Sequence, residues 1–156
     1  MGIENLAELS FNPFHMARIM TYFLSGAGGR TTFPRVYLVL PMVLYEPSRT
    51  VLAGANKRSS LYSLFLDDQR KRENLAGLQR RYLLYKTLTN ESLVVGATRN
   101  AFHVDTTVAV NSQVRFQDCT DRDLRELYKA AHYFGVVLQK ESHDAAVFMK
   151  MGVYPL

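Results

Sequence analysis

The clearest helix in the sequence runs through TDRDLRELYKAAHYFGVVL, residues 120–138. It opens on a capping box, with Thr120 before the first turn and Asp123 at the third helical position. Apolar side chains then recur every three or four residues: Leu124, Leu127, Tyr128, Ala131, Gly135 and Leu138. This period is typical of an amphipathic helix with one buried face, so the stretch predicts a helix packed on a core.

A second helix is predicted near the N-terminus. Asn12 is a good N-cap and Pro13 suits the first helical position. The buried face would consist of Phe14, Ala17, Met20 and Leu24. Gly26 and the glycine pair at 28–29 predict its end.

The apolar run of residues 36–45, VYLVLPMVLY, has two interpretations. Its β-branched and aromatic residues favour a strand, but Pro41 lacks the amide hydrogen that a ladder needs. A helix would be buried nearly all round and kinked at Pro41. Local sequence leaves the two open.

The middle of the chain predicts more helix. Residues 48–56 and 58–67 suggest two short helices, and residues 68–97 suggest one long basic helix that Asn90 or Gly96 could interrupt. Its apolar side would step through Leu75, Leu78, Tyr82, Tyr85 and Leu88.

The periodicity then changes to that of strands. Residues 102–104 and 108–110 flank a polar turn and predict a β-hairpin within 101–115. Ser142 would cap a last short helix that Gly152 closes. We therefore expect a mainly α fold in one domain over 1–156: a helical N-terminal half over 10–67, the long basic helix, a two-stranded hairpin and C-terminal helices over 120–151. A helix before a hairpin is also the order of a winged helix.

Composition restricts the classes of protein. The chain has 156 residues and a net charge of +5, and its single cysteine, Cys119, excludes an internal disulfide and a multi-cysteine zinc site. No apolar run reaches the roughly 18 residues that span a bilayer, and residues 1–6 lack a basic start followed by an apolar core. We expect a cytoplasmic protein that does not enter a membrane.

Positive charge is concentrated in the middle third. Residues 49–99 hold ten bases and four acids, net +6, whereas the flanking segments are close to neutral. On the expected long helix, Arg70 and Arg81 are about three turns apart and would share a face. The candidate binding residues are Arg70, Lys71, Arg72, Arg80, Arg81 and Lys86. Such a stripe could lie along DNA phosphates, bind an acidic protein, or simply be solvated.

Known catalytic and metal-binding patterns are missing from the sequence. No two histidines have the i, i+4 spacing of a zinc helix, and the glycines at 26–29 lack the lysine of a phosphate-binding loop. Asp118, Asp121 and Asp123 cluster at a helix start, where capping explains them. We expect no enzyme activity, no catalytic residue, no cofactor and no metal.

Three segments carry a family resemblance. Asn12-Pro13-Phe14 is similar to an Asn-Pro-Ala-Leu start, and residues 33–45 followed by Arg49 are similar to an apolar run that ends in Leu-Pro-Leu-x-Leu. Residues 146–155 are similar to a final helix that ends in Leu-Gly-Val-x-Pro. In this order they resemble the middle-component family of bacterial three-component ABC ATPase systems, which includes the Lamassu-type defence systems. The matching positions are Asn12, Pro13, Pro34, Leu40, Pro41, Arg49, Gly152, Val153 and Pro155.

The resemblance implies a function. Such proteins look like non-catalytic adaptors between an SMC/Rad50-like ABC ATPase that senses foreign DNA and an effector subunit, often a nuclease. It also implies that residues 33–45 form a helix that is part of the core and faces a partner. Tyr45 stands where many relatives carry His, and Met151 where they carry Leu. The alternative is a stand-alone winged-helix transcription regulator that binds DNA.

Overall fold

In the computed structural model, which describes residues 12–155, the fold consists of eight α-helices and a small antiparallel sheet. The elements are α1 Pro13–Gly26, β1 Arg30–Thr32, α2 Val39–Val43, α3 Glu46–Ala53, α4 Gln69–Arg72, α5 Leu78–Leu84, α6 Lys86–Thr98, β2 Phe102–Val104, β3 Thr107–Val110, α7 Arg122–Gln139 and α8 Asp144–Met151. Short 3-10 segments at Phe33–Leu38, Glu73–Leu75 and Phe116–Asp118 and a π-helical turn at Tyr62–Leu66 lie between them. The mainly α fold class is confirmed. The expectation for residues 1–6 lies outside the described residues.

Helix α7 forms where the sequence predicts it, with its cap one residue later. Asp121, not Thr120, is the N-cap, and its Oδ1 accepts a hydrogen bond from the Leu124 amide at 3.0 Å. A carboxylate both accepts this bond and interacts favourably with the positive end of the helix dipole. The apolar face of α7 is buried from Leu127 to Leu138.

Helices α1 and α7 touch through their backbones. A Cβ placed on Gly135 would lie 2.1 Å from the Phe23 carbonyl oxygen, and one placed on Gly26 would lie 1.8 Å from the His132 carbonyl oxygen. Only glycine fits at either position, because the atoms in the way belong to the partner helix backbone. Close approach lets the fully buried Phe23 and Phe134 pack against each other, with ring centroids 5.6 Å apart.

The apolar run of residues 36–45 is helical as far as Val43, and Leu44 and Tyr45 form a bend. A 3-10 segment leads into α2, and Pro41 is the third residue of that helix, where an amide hydrogen would have no intrahelical acceptor. The expectation of a core helix is confirmed. Its other implied role, facing a partner, is wrong for residues 38–43, since all of them are buried inside this chain.

The prediction of one long basic helix over 68–97 is wrong. Helix α4 ends after four residues, and Gly77 adopts the left-handed conformation (φ 77°) before α5 begins. Tyr85 then separates α5 from α6. Because the chain changes direction at Gly77, Arg70 and Arg81 do not share a helix face.

The predicted hairpin is present as β2 and β3, and it has a third strand. Strand β1 pairs antiparallel with β3, with Thr31 opposite Val108, which gives the order β1-β3-β2. Phe102 of β2 packs against α6, where a Cβ on Gly96 would lie 1.9 Å from the phenyl ring. The absence of a side chain at Gly96 therefore makes room for the Phe102 ring, and Gly96 does not interrupt α6.

The C-terminal helix begins one residue later than its expected cap suggests. His143, not Ser142, is the N-cap of α8, and no side chain caps it. Gly152 ends the helix in the left-handed conformation (φ 71°), as its position predicts. Within residues 12–155, none of the helices has the length and hydrophobicity needed to cross a bilayer.

Replacement of Gly135 by Ala should separate α1 from α7. The new Cβ must displace backbone atoms, so we expect the free energy of unfolding to fall by about 2 kcal/mol or more despite the higher helix propensity of alanine. Urea unfolding followed by circular dichroism measures it. Gly54→Ala is the matched control, because its Cβ would meet nothing closer than 3.6 Å. Equal midpoints for the two variants would contradict the close packing.

Candidate functional site

The six predicted basic residues are distributed over three helices, α4, α5 and α6, and not along one. Arg70 and Arg80 are exposed, and neither side chain forms a hydrogen bond or ion pair with another residue of 12–155. Lys86 is half-buried at the start of α6. The charged groups of the other three, Lys71, Arg72 and Arg81, bind groups of this chain.

Lys71 and Arg72 fasten the π-helical turn to α4. The Lys71 ammonium group donates to the Ser63 carbonyl at 2.8 Å and lies 3.0 Å from the Asp67 carboxylate. The Arg72 Nε donates to the Leu66 carbonyl at 3.0 Å. Both side chains therefore satisfy carbonyl groups where the helical pattern is interrupted.

Arg81 joins α5 to α2. Its Nε donates to the Pro41 carbonyl at 3.1 Å, its Nη1 donates to the Ala76 carbonyl at 2.7 Å, and its guanidinium lies 3.6 Å from the centre of the Tyr45 ring. Burial lowers the pKa of Arg81 below its usual range, although Tyr45 and Tyr85 act in the opposite direction. These contacts connect elements of the chain around the half-buried Arg81, and its binding of DNA or a partner stays a prediction.

Part of the family pattern serves helix ends and the core. The Asn12 side chain accepts from the Phe14 amide at 2.9 Å, and Pro13 starts α1, as expected. Leu40 is fully buried, and the Pro41 carbonyl accepts from Arg81. Arg49 donates to the Leu44 carbonyl at 3.2 Å, just after α2.

Arg35, which sequence reasoning did not single out, holds the C-terminal helix in place. The residue is 5% exposed, and its Nε donates to Asp144 Oδ1 at 2.6 Å. Its Nη1 and Nη2 donate to the carbonyls of Leu138 and Glu141 at 2.5 and 2.8 Å, where α7 ends. One guanidinium thus joins the end of α7 to the start of α8.

The other family positions, Pro34, Gly152, Val153 and Pro155, meet in one groove. This C-terminal groove has a volume of about 510 Å³ between the 3-10 segment, α8 and the tail that follows it. The remaining lining residues are Asp144, Ala145, Phe148, Met149 and Tyr154. The motifs at the two ends of the sequence are therefore neighbours in space.

The tail wall of the C-terminal groove is held by a side-chain amide. Gln79 of α5 accepts from the Tyr154 amide at 2.7 Å and donates to the Tyr154 carbonyl at 3.3 Å. Val153 is 3% exposed and anchors the tail in the core. The tail is thus held by two hydrogen bonds to Gln79 and by the burial of Val153.

A second groove of about 490 Å³ lies against the first. Tyr62, Leu66, Arg72, Leu75, Lys150 and Met151 line it, and it shares Met149 and Gly152 with the C-terminal groove. We call the two grooves together the Met149 face. Met149, Tyr62 and Tyr154 are 77%, 62% and 75% exposed.

The Met149 face has the composition of a protein interface. Tyr, Met and Arg are enriched in interfaces relative to other surfaces, and all three residue types line this face. One signal in the sequence could have indicated it: the eight residues of α8 are mostly apolar, more than one buried face requires. No group of three or more His, Cys, Asp and Glu residues able to hold a metal occurs within 12–155.

Replacement of Arg35 by Met should loosen the C-terminal groove. The substitution leaves Asp144 with the Thr32 hydroxyl but without its cation, and it removes the Arg35 donors from the carbonyls of Leu138 and Glu141, so we expect a loss of about 3 kcal/mol in the free energy of unfolding. Lys150→Met is the matched control: it removes the more exposed ion pair between Lys150 and Glu141 (3.0 Å) and should cost less than about 1 kcal/mol. Urea unfolding measures both losses. Similar losses would show that Arg35 joins the end of α7 to the start of α8 no more strongly than an exposed ion pair would.

Comparison with known proteins gives one match. No curated protein and no solved structure shows significant similarity to the chain. A family model described as ABC-three component (ABC-3C) system Middle Component 3 matches residues 2–155, almost the whole sequence. The chain therefore belongs to the family of ABC-three component system middle components.

Proposed function

We propose that this protein is a cytoplasmic, non-catalytic adaptor that binds an SMC/Rad50-like ABC ATPase and an effector subunit in a complex that defends against phage or plasmid DNA. Its family is defined as the middle component of a three-component ABC system, which supports a role between two other subunits. The ATPase would supply nucleotide hydrolysis, and the effector, a nuclease for example, would supply the toxic reaction.

The observation that carries the proposal is the Met149 face. An adaptor needs a preformed surface that loses little entropy on binding. Here the exposed Met149 and Tyr154 lie on a helix and a tail that Arg35 and Gln79 fasten to the rest of the protein. Asp144, the one carboxylate among the residues that line the two grooves, is paired with Arg35.

The order of elements supports a winged-helix-like arrangement within the adaptor. Helix α6 precedes the hairpin β2–β3, as a winged helix requires, and β1 completes the sheet. The helix in the position of a recognition helix suits a stand-alone DNA-binding regulator poorly. Between Lys86 and Arg99 this helix exposes Asn90, Glu91 and Val94 and contains no Arg or Lys. Arg and Lys are the residues that most often read the edges of DNA bases.

Co-purification tests the proposal directly. With the ABC ATPase and the third component of its system co-expressed, affinity-tagged chain should retain both through size-exclusion chromatography. The chain alone should release no phosphate from ATP and should leave duplex DNA intact. A chain that elutes alone in the presence of both components, or one that performs either reaction unaided, would contradict the adaptor role.

Charge reversal at Arg70 and Arg80 tests contact with DNA. Both side chains are exposed and have no partner within residues 12–155, so phosphate contacts through them would be lost in the double variant Arg70→Glu, Arg80→Glu. We expect weaker DNA binding by the complex and a slope of log affinity against log salt that is smaller by about 2. Arg122→Glu with Arg125→Glu on α7 is the control of equal charge change. Equal effects of the two pairs would remove the DNA role from Arg70 and Arg80.

A further inference from the structure

We propose that the Met149 face binds an amphipathic segment of a partner subunit whose apolar side chains are flanked by carboxylates. This inference rests on the proposed function only in that the partner is another subunit of the same complex. It specifies the chemistry of the segment from the charge and shape of the two grooves.

The shape of the face suits a helix that inserts apolar side chains on both sides of a ridge. The two grooves share Met149 and Gly152, so the Met149 side chain separates them. Side chains three or four residues apart on one face of a helix can enter neighbouring grooves in this manner. The unbranched Met149 side chain adapts to what packs against it.

The free charge on the face is positive. Its linings contain one carboxylate, Asp144, which is bound by Arg35 at 2.6 Å and by the Thr32 hydroxyl at 2.7 Å. They contain two cations, Arg72 and Lys150. Lys150 pairs with Glu141 at the edge, while the two outer nitrogens of Arg72 have no hydrogen-bond partner within residues 12–155.

A carboxylate on the incoming segment would complete this arrangement. Arginine recognises carboxylates through two parallel hydrogen bonds, and the outer nitrogens of Arg72 are the ones that such a pair uses. Complementary charge at the rim of an apolar groove selects among partners more than it adds affinity. The face should therefore discriminate strongly between acidic and basic versions of the same apolar segment.

The apolar surfaces favour a protein over DNA as the occupant. Phe148, Met149 and Tyr154 offer a groove in which a phosphate would lose its water without gaining a donor. A phosphate-binding surface instead requires several exposed cations or backbone amides. A DNA duplex is therefore one arm of the test and not the proposed ligand.

The test measures binding of two fluorescent peptides to the full chain by anisotropy. Both are amphipathic helices of about 18 residues with leucines on one face; one carries Glu on the flanks of that face and the other carries Lys. We expect the Glu peptide to bind at least about tenfold more tightly than the Lys peptide. Met149→Glu should abolish binding of the Glu peptide, and Arg72→Glu should reverse the preference. Val94→Glu, an exposed apolar site outside both grooves, should leave binding unchanged.

Each contrary result overturns the inference. Equal affinity for the two peptides would remove the charge selection, and loss of binding in Val94→Glu would move the site elsewhere. A labelled DNA duplex that binds in an Arg72-dependent and Met149-independent manner would assign the cations to DNA. If neither peptide binds but the three-component complex still forms, this inference alone is rejected. If the peptides bind as expected but the wild-type complex does not form, only the proposed function is rejected.

Discussion

The ion pair between the buried Arg35 and the half-buried Asp144 is the interaction on which the C-terminal half of the molecule depends. A guanidinium out of water is costly unless nearly all its donors are used, and here the donors reach a carboxylate and two carbonyls at a helix end. These acceptors belong to separate elements. Arg35 therefore links α7 to α8 directly, while the buried Val147, Phe148 and Met151 pack α8 on the core, and the Met149 face is a consequence of that position.

Where a local pattern determines structure, the sequence predicts it well. Helices α1 and α7, the hairpin and the end of α8 at Gly152 each rest on signals within a few residues of the element: a cap, a period or a turn residue. The shift from Thr120 to Asp121 shows that two adjacent residues can both be good caps, whereas the shift from Ser142 to His143 leaves α8 without a side-chain cap. Only the three-dimensional course of the chain decides which carboxylate or backbone amide is in reach.

The prediction of one long helix over residues 68–97 failed for a physical reason. The steps from Leu75 to Leu88 fit one long helix, but they equally fit two helices in succession that each bury a face. Gly77 was the available signal, because a glycine between two basic clusters allows the left-handed conformation that redirects the chain. In the same way, the number of charges does not reveal whether a guanidinium faces solvent. Arg81 is used to satisfy carbonyls of α2 and of the turn before α5, which no count of bases could show.

The contact between Gly26 and Gly135 has a mechanical consequence. Where two helices meet backbone to backbone, no side chain lies between them whose rotation could absorb a displacement. We therefore expect helices α1 and α7 to move as one rigid unit, and Arg35 links the end of α7 to α8. We also expect a displacement of α8 to move the end of α7 through Arg35 and, because α1 and α7 touch through their backbones, to move α1 as well.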